Sequence, residues 1–96
     1  MRVSEQSIGK LLQLWRHRRR LSQLALATEA RISQRHLSFL ESGRASPSRG
    51  MVMHLAEVLD IPLRERNTLL VTAGYAPVYG QRAFDDPEFA AARAVV

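Results

Sequence analysis

Residues 21–43, LSQLALATEARISQRHLSFLESG, decide the fold. Ser22 opens a run free of helix breakers, and its hydroxyl can accept a bond from an amide of the first helical turn. Leu24, Ala27 and, one turn further on, Ala30 supply a narrow apolar stripe at helical spacing. That inner face is small, so a second helix can approach closely. Ser33 is placed to cap that second helix, with Ile32, Leu37 and Leu40 facing the core. Gln34, Arg35, Ser38 and, at the edge of the face, Phe39 are left pointing outward. The stretch therefore predicts two short helices joined by a tight turn. Gln and Arg near the start of the second helix match what base edges in the major groove of DNA require.

The rest of the chain agrees with a small helical domain. Its 96 residues make one domain, or one domain with a tail, and 46% hydrophobic content is enough for a compact core. No apolar run is long enough to span a membrane, and the N-terminus has no signal-peptide pattern. The chain has no cysteine, which removes disulfides and thiolate metal sites and is compatible with a reducing cytoplasm. Nothing alternates at a strand period, so the expected class is all-α. The net charge of +5 is unevenly spread: residues 1–50 carry ten Lys and Arg against three Glu, while residues 51–96 carry four Arg against six acids. A basic half that contains the two-helix stretch suggests a phosphate-binding face. Charge alone would equally fit a solvated surface.

LSQLALA followed by ISQRHLSFLESGR resembles the helix-turn-helix of the Cro/C1-type (XRE) bacterial and phage repressors. More closely, SQRHLSFLESGRASPSR together with IPLRERNTLLVTAGYAPVY resembles the N-terminal part of the MmyB-like transcriptional regulators. The resemblance covers roughly Ile8 to Tyr79. One position departs from the commonest pattern, because Arg31 stands where the turn often has Gly, and a non-Gly residue in a left-handed conformation costs about 1 kcal/mol. The resemblance implies a five-helix, lambda-repressor-like DNA-binding bundle over residues 1–80. It implies an ion pair between Arg16 and Glu41 that locks the first helix to the recognition helix, residues 33–42. Gln34, Arg35, Ser38 and Phe39 would meet bases. Gln23, Ser33, Arg44, Ser46 and Arg49 would meet phosphates. Gln23 also has a physical argument of its own, since a helix N-terminus offers unpaired amides and a positive dipole end. Phe39 has no polar atom in its side chain, so it meets a thymine methyl or packs into the core.

Ser4 or Ser7 caps a first helix, along which Ile8, Leu11, Leu12 and Trp15 share one face. Arg18, Arg19 and Arg20 close that helix, where cations suit its negative end, and one or two of them are also available to DNA backbone. After the recognition helix, Gly43 is a C-cap and residues 44–50 form a polar loop. Ser48 caps a fourth helix with an apolar stripe of Val52, Leu55, Ala56 and Leu59, flanked by Met51 and Met53 as core filler. Asp60, Ile61 and Pro62 stop it. A fifth helix runs from Leu63 to about Ala73, with Leu69, Leu70 and Ala73 inward, Arg64, Glu65 and Arg66 a solvated start, and Gly74 its stop. Tyr75 to Tyr79 fold back over the bundle. Asp85 or Asp86 caps and Pro87 begins a tail helix, so that residues 81–96 form a linker and helix. In MmyB-like regulators a ligand-sensing domain for a small apolar molecule follows at this point. The tail is thus the start of a truncated domain, or a helix that pairs two copies.

No catalytic constellation is visible: His17, His36 and His54 fall on three different helices, no metal-ligand spacing exists, and no glycine loop could cradle phosphate. The expected function is sequence-specific binding of double-stranded DNA by a cytoplasmic bacterial transcriptional regulator that is not an enzyme and holds no cofactor or metal. It would act as a homodimer on a two-fold operator with half-sites roughly 34 Å apart. Any small apolar effector would act through the absent domain, and no membrane is involved. The alternative is an antitoxin-like or protein-interaction module on the same fold. An outward face carrying Gln34 and Arg35 with Arg44 and Arg49 beside it favours DNA, whereas a protein-binding face should be more apolar.

Overall fold

The computed structural model describes residues 7–78. Among them are five helices and no strand: α1 (Ile8–Arg18), α2 (Gln23–Ala30), α3 (Gln34–Ser42), α4 (Arg49–Val58) and α5 (Leu63–Thr72). The tail helix, with the boundary drawn at residue 80 and the alternative cap Ser4, lies outside the described residues.

Four serines set where helices begin. Ser7, Ser22, Ser33 and Ser48 each hold an extended backbone and accept from the amide three residues on, at 3.2, 3.0, 2.9 and 3.0 Å. Each bond satisfies one amide that the helix cannot pair internally. The fifth helix begins at Leu63, just after Pro62 at the N-cap position, and it has no side-chain cap.

The helix ends share a second device. One residue past α2, and two past α1, α4 and α5, the backbone is left-handed, at Arg31 (φ 60°), Arg20 (φ 57°), Asp60 (φ 54°) and Gly74 (φ 97°). In each case the next residue sends its amide back to the carbonyl five positions earlier: Leu21 to Arg16, Ile32 to Ala27, Ile61 to Ala56 and Tyr75 to Leu70. This is the Schellman geometry, in which an apolar residue after the left-handed one covers the helix end. Leu21, Ile32 and Tyr75 accordingly pack against the core, and Ile61 lies within it. Only one of these four turns uses glycine, and the other three accept the left-handed cost.

α3 packs on both α1 and α2, α4 joins α2 to α5, and α5 closes back on α1. The centre holds Leu12, Leu26, Leu37, Leu40, Leu55 and Leu70, all without exposed surface. The expected stripe of α4 is buried throughout, and Trp15 is buried as expected. One glycine governs an interhelical approach. A methyl group on Gly9 would lie 2.7 Å from the Leu40 carbonyl oxygen and collide with that of Glu41. Only glycine lets the first turn of α1 rest on the last turn of α3.

Two local expectations need correction. Leu24 does not face inward; it is 59% exposed, and Leu26 takes the core position. An eight-residue helix with Leu24, Ala25, Leu26 and Ala27 in succession offers two stripes, and packing against α3 and α4 selects the second. α5 ends at Thr72, within a residue of its expected end, and Ala73 packs against the core as expected. Arg66 is not a freely solvated residue. Its Nε donates to the Ile61 carbonyl at 2.6 Å and its Nη1 to Glu57 at 3.1 Å, which fastens the start of α5 to α4.

Candidate nucleic-acid interface

Glu41, in the last turn of α3, is the fixed point beneath the candidate face. Its carboxylate accepts from Arg16 Nε at 2.7 Å and Nη2 at 3.0 Å, a two-pronged pair between α1 and α3. The side chains are 9% and 2% exposed. The third guanidinium nitrogen donates to the Leu21 carbonyl at 3.0 Å, so Arg16 also holds the entry to α2. Gln23, the first residue of α2, adds a third donor to the same carboxylate at 3.0 Å. A buried charge pair endures only where its remaining hydrogen-bonding capacity is met. Here no buried side-chain nitrogen or oxygen among the described residues is left unpaired. The resemblance implies a phosphate contact for Gln23. Its side-chain amide is half-buried and engaged with Glu41, while its backbone amide stays at the start of α2.

Arg31 sits at the turn between α2 and α3 and is exposed. Ser33 then caps α3 through its hydroxyl, which leaves the amides of Gln34 and Arg35 at an open helix N-terminus. Gln34 and Arg35 are exposed, while Ser38 and Phe39, one turn later, are half-buried. His36 is half-buried on α3, and the His54 ring meets the Ala30 carbonyl at 2.8 Å. Among the described residues no group of His, Asp or Glu side chains is placed to hold a metal ion.

Gly43 (φ 86°) turns the chain back at the end of α3, so the amides of Arg44 and Ala45 both reach the Phe39 carbonyl, at 2.9 and 3.1 Å. Arg44, Ser46 and Arg49 are all exposed in the segment that follows, which is anchored by buried Pro47. The Tyr75 hydroxyl donates to the Pro47 carbonyl at 2.9 Å, so the segment after α5 braces this loop. Arg35, Arg44 and Arg49 pair with no carboxylate among the described residues. The start of α3 thus exposes Gln and Arg, the braced loop exposes Arg44, whose guanidinium shares the Phe39 ring with that of Arg35, and α4 opens on exposed Arg49. Hydrogen-bonding side chains suit base edges, and cations with free amides suit phosphates.

Arg18, Arg19 and Arg20, all exposed, have different surroundings. Arg19 donates to the Leu59 carbonyl at 2.7 Å and to the Asp60 carbonyl at 2.8 Å, tying α1 to the end of α4. The Arg18 and Arg19 guanidiniums lie 4.8 and 5.5 Å from the Trp15 ring centre, and Arg20 takes the left-handed turn. Sequence reading missed the cross-tie of Arg19 because its partners are backbone carbonyls 40 residues away, which no pattern marks.

Among the described residues no helix is long and apolar enough to cross a membrane. Residues 7–69 match the family model described as a helix-turn-helix domain. No curated protein and no solved structure matches the chain.

Proposed function

The chain belongs to the helix-turn-helix domain family, and from that premise we propose that it is the sequence-specific DNA-binding domain of a cytoplasmic bacterial transcriptional regulator. Its type is that of the Cro/C1 (XRE) repressors, closest to the N-terminal domain of MmyB-like regulators. The observation that carries this reading is the exposed N-terminal face of α3, where Arg35 follows Gln34 and shares the Phe39 ring with exposed Arg44, while Arg35, Arg44 and the exposed Arg49 pair with no carboxylate among the described residues. In this reading α3 enters the major groove. Gln34, Arg35 and Ser38 lie along the bases, while Gln23, Ser33, Arg44, Ser46 and Arg49 lie along the backbone. Two copies bind a two-fold operator. A second reading, an antitoxin-like or protein-interaction module, is favoured by the exposure of Leu24 and Val71, at 59% and 57%.

Selection of bound sites from random duplexes tests the proposal, with the winner titrated against scrambled DNA at two salt concentrations. A two-fold motif bound far more tightly than scrambled DNA is expected. Arg44→Ala should weaken binding to every duplex and lower the salt slope by about 1, whereas Gln34→Ala should relax preference at one position. Equal losses for both variants on all DNA would sink this division of roles. Absence of any binding would favour the protein-interaction reading.

A further inference from the structure

Phe39 is half-buried, and two cations stand against its ring. The Arg35 guanidinium lies 5.4 Å from the ring centre and that of Arg44 5.6 Å. Both distances fall within the roughly 6 Å at which a cation feels the negative face of an aromatic ring. Each contact has a separate cause in the chain. Arg35 precedes Phe39 by four residues, so the two side chains share one side of α3. Arg44 follows in the loop, but the left-handed Gly43 folds its amide back onto the Phe39 carbonyl and so returns its side chain to the same ring. Two like charges would otherwise separate into solvent, and neither has a carboxylate among the described residues to hold it.

We propose that Phe39 is a positioning residue, an aromatic anchor that aims the base-facing Arg35 and the backbone-facing Arg44 together, and that it reads no base itself. The assignment rests on the DNA-binding reading above. It gives the ring a task that neither burial nor a thymine methyl explains. A guanidinium already held near its bound position loses less freedom on binding. One ring therefore sets the register between a specificity contact and an affinity contact.

The test compares Phe39→Leu with Phe39→Tyr in the full chain, after circular dichroism shows both folded. In the free protein, side-chain NMR should show ring-current shifts on the δ-methylenes of both Arg35 and Arg44. Phe39→Leu should abolish the shifts and Phe39→Tyr keep them. On DNA, Phe39→Leu should weaken binding to all duplexes about five- to tenfold and flatten preference at the position that Arg35→Ala also flattens. Phe39→Tyr should restore both. A change confined to a thymine position that Arg35→Ala leaves intact would overturn the assignment and make Phe39 a base reader. Binding without ring-current shifts would sink the assignment alone. Shifts in a chain that binds no duplex would remove the DNA reading, and the assignment with it.

Discussion

At the scale of single residues, Glu41 joins three parts of the fold. It receives Arg16 from α1 and Gln23 from α2 while sitting on α3, nearly without exposed surface. Removing one member of such a pair leaves a buried charge without its partner, which costs about 3–5 kcal/mol. A small domain has only about 5–15 kcal/mol in total. Arg16→Ala and Glu41→Ala are therefore each expected to move urea unfolding to much lower concentration. The double variant Arg16→Met/Glu41→Leu should lose less than either single change, because it leaves no orphan charge. A loss equal to the sum of the two singles would show that the pair is not energetically coupled. The sequence made Arg16 and Glu41 visible only through a family resemblance, since 25 residues separate them and each alone resembles a surface charge. The role of Gln23 as third donor was hidden. Its place at a helix start suggested phosphate equally well, and only the proximity of Glu41 shows what its amide does in the free protein.

At the scale of elements, helix starts were far more legible than helix faces. A serine before an unbroken run is a local signal, and the caps at Ser22, Ser33 and Ser48 form as the sequence suggests. The face of α2 was misread at Leu24 because apolar residues surround that short helix, so burial is decided by neighbours and not by period. The turn between α2 and α3 shows the same division. Its existence was readable, and so was the strain of Arg31, which adopts φ 60° and ψ 43°. Left-handed geometry costs a non-Gly residue roughly 1–2 kcal/mol, while glycine gives back part of that gain through its freer unfolded chain. Arg31→Gly is expected to stabilise the domain by about 0.5–1 kcal/mol and raise its Tm by roughly 2–6 °C. Differential scanning calorimetry checks this. An unchanged or lowered Tm would mean that Arg31 makes a compensating contact, and that the turn is not a store of strain.

At the scale of the whole molecule, the uneven charge and the position of α3 make one statement. The half of the sequence with ten basic residues against three acidic ones contains α1 to α3 and the loop after them, and the acidic excess lies beyond. That asymmetry was readable from the sequence alone, whereas the exposure of Arg35, Arg44 and Arg49, and the meeting of the first two at the Phe39 ring, needed the fold. It also bears on oligomeric state. Each phosphate neutralised by a protein cation releases counterions, so log K falls against log salt with a slope near −0.9 per contact. If the backbone-facing Arg44 and Arg49 supply the cations of one half-site, a single copy should give a slope of about −2, and two copies on a two-fold operator one of about −4. Fluorescence anisotropy between about 50 and 300 mM salt measures the slope, and sedimentation of the complex counts the copies. The steeper slope with two chains per operator is the expected outcome. A slope near −2 with one chain per site would show that the fold reads a half-site alone, and the homodimer would have to be abandoned. A steep slope with one chain would instead mean that arginines beyond these two reach the backbone, with exposed Arg18, Arg20 and Arg31 as candidates.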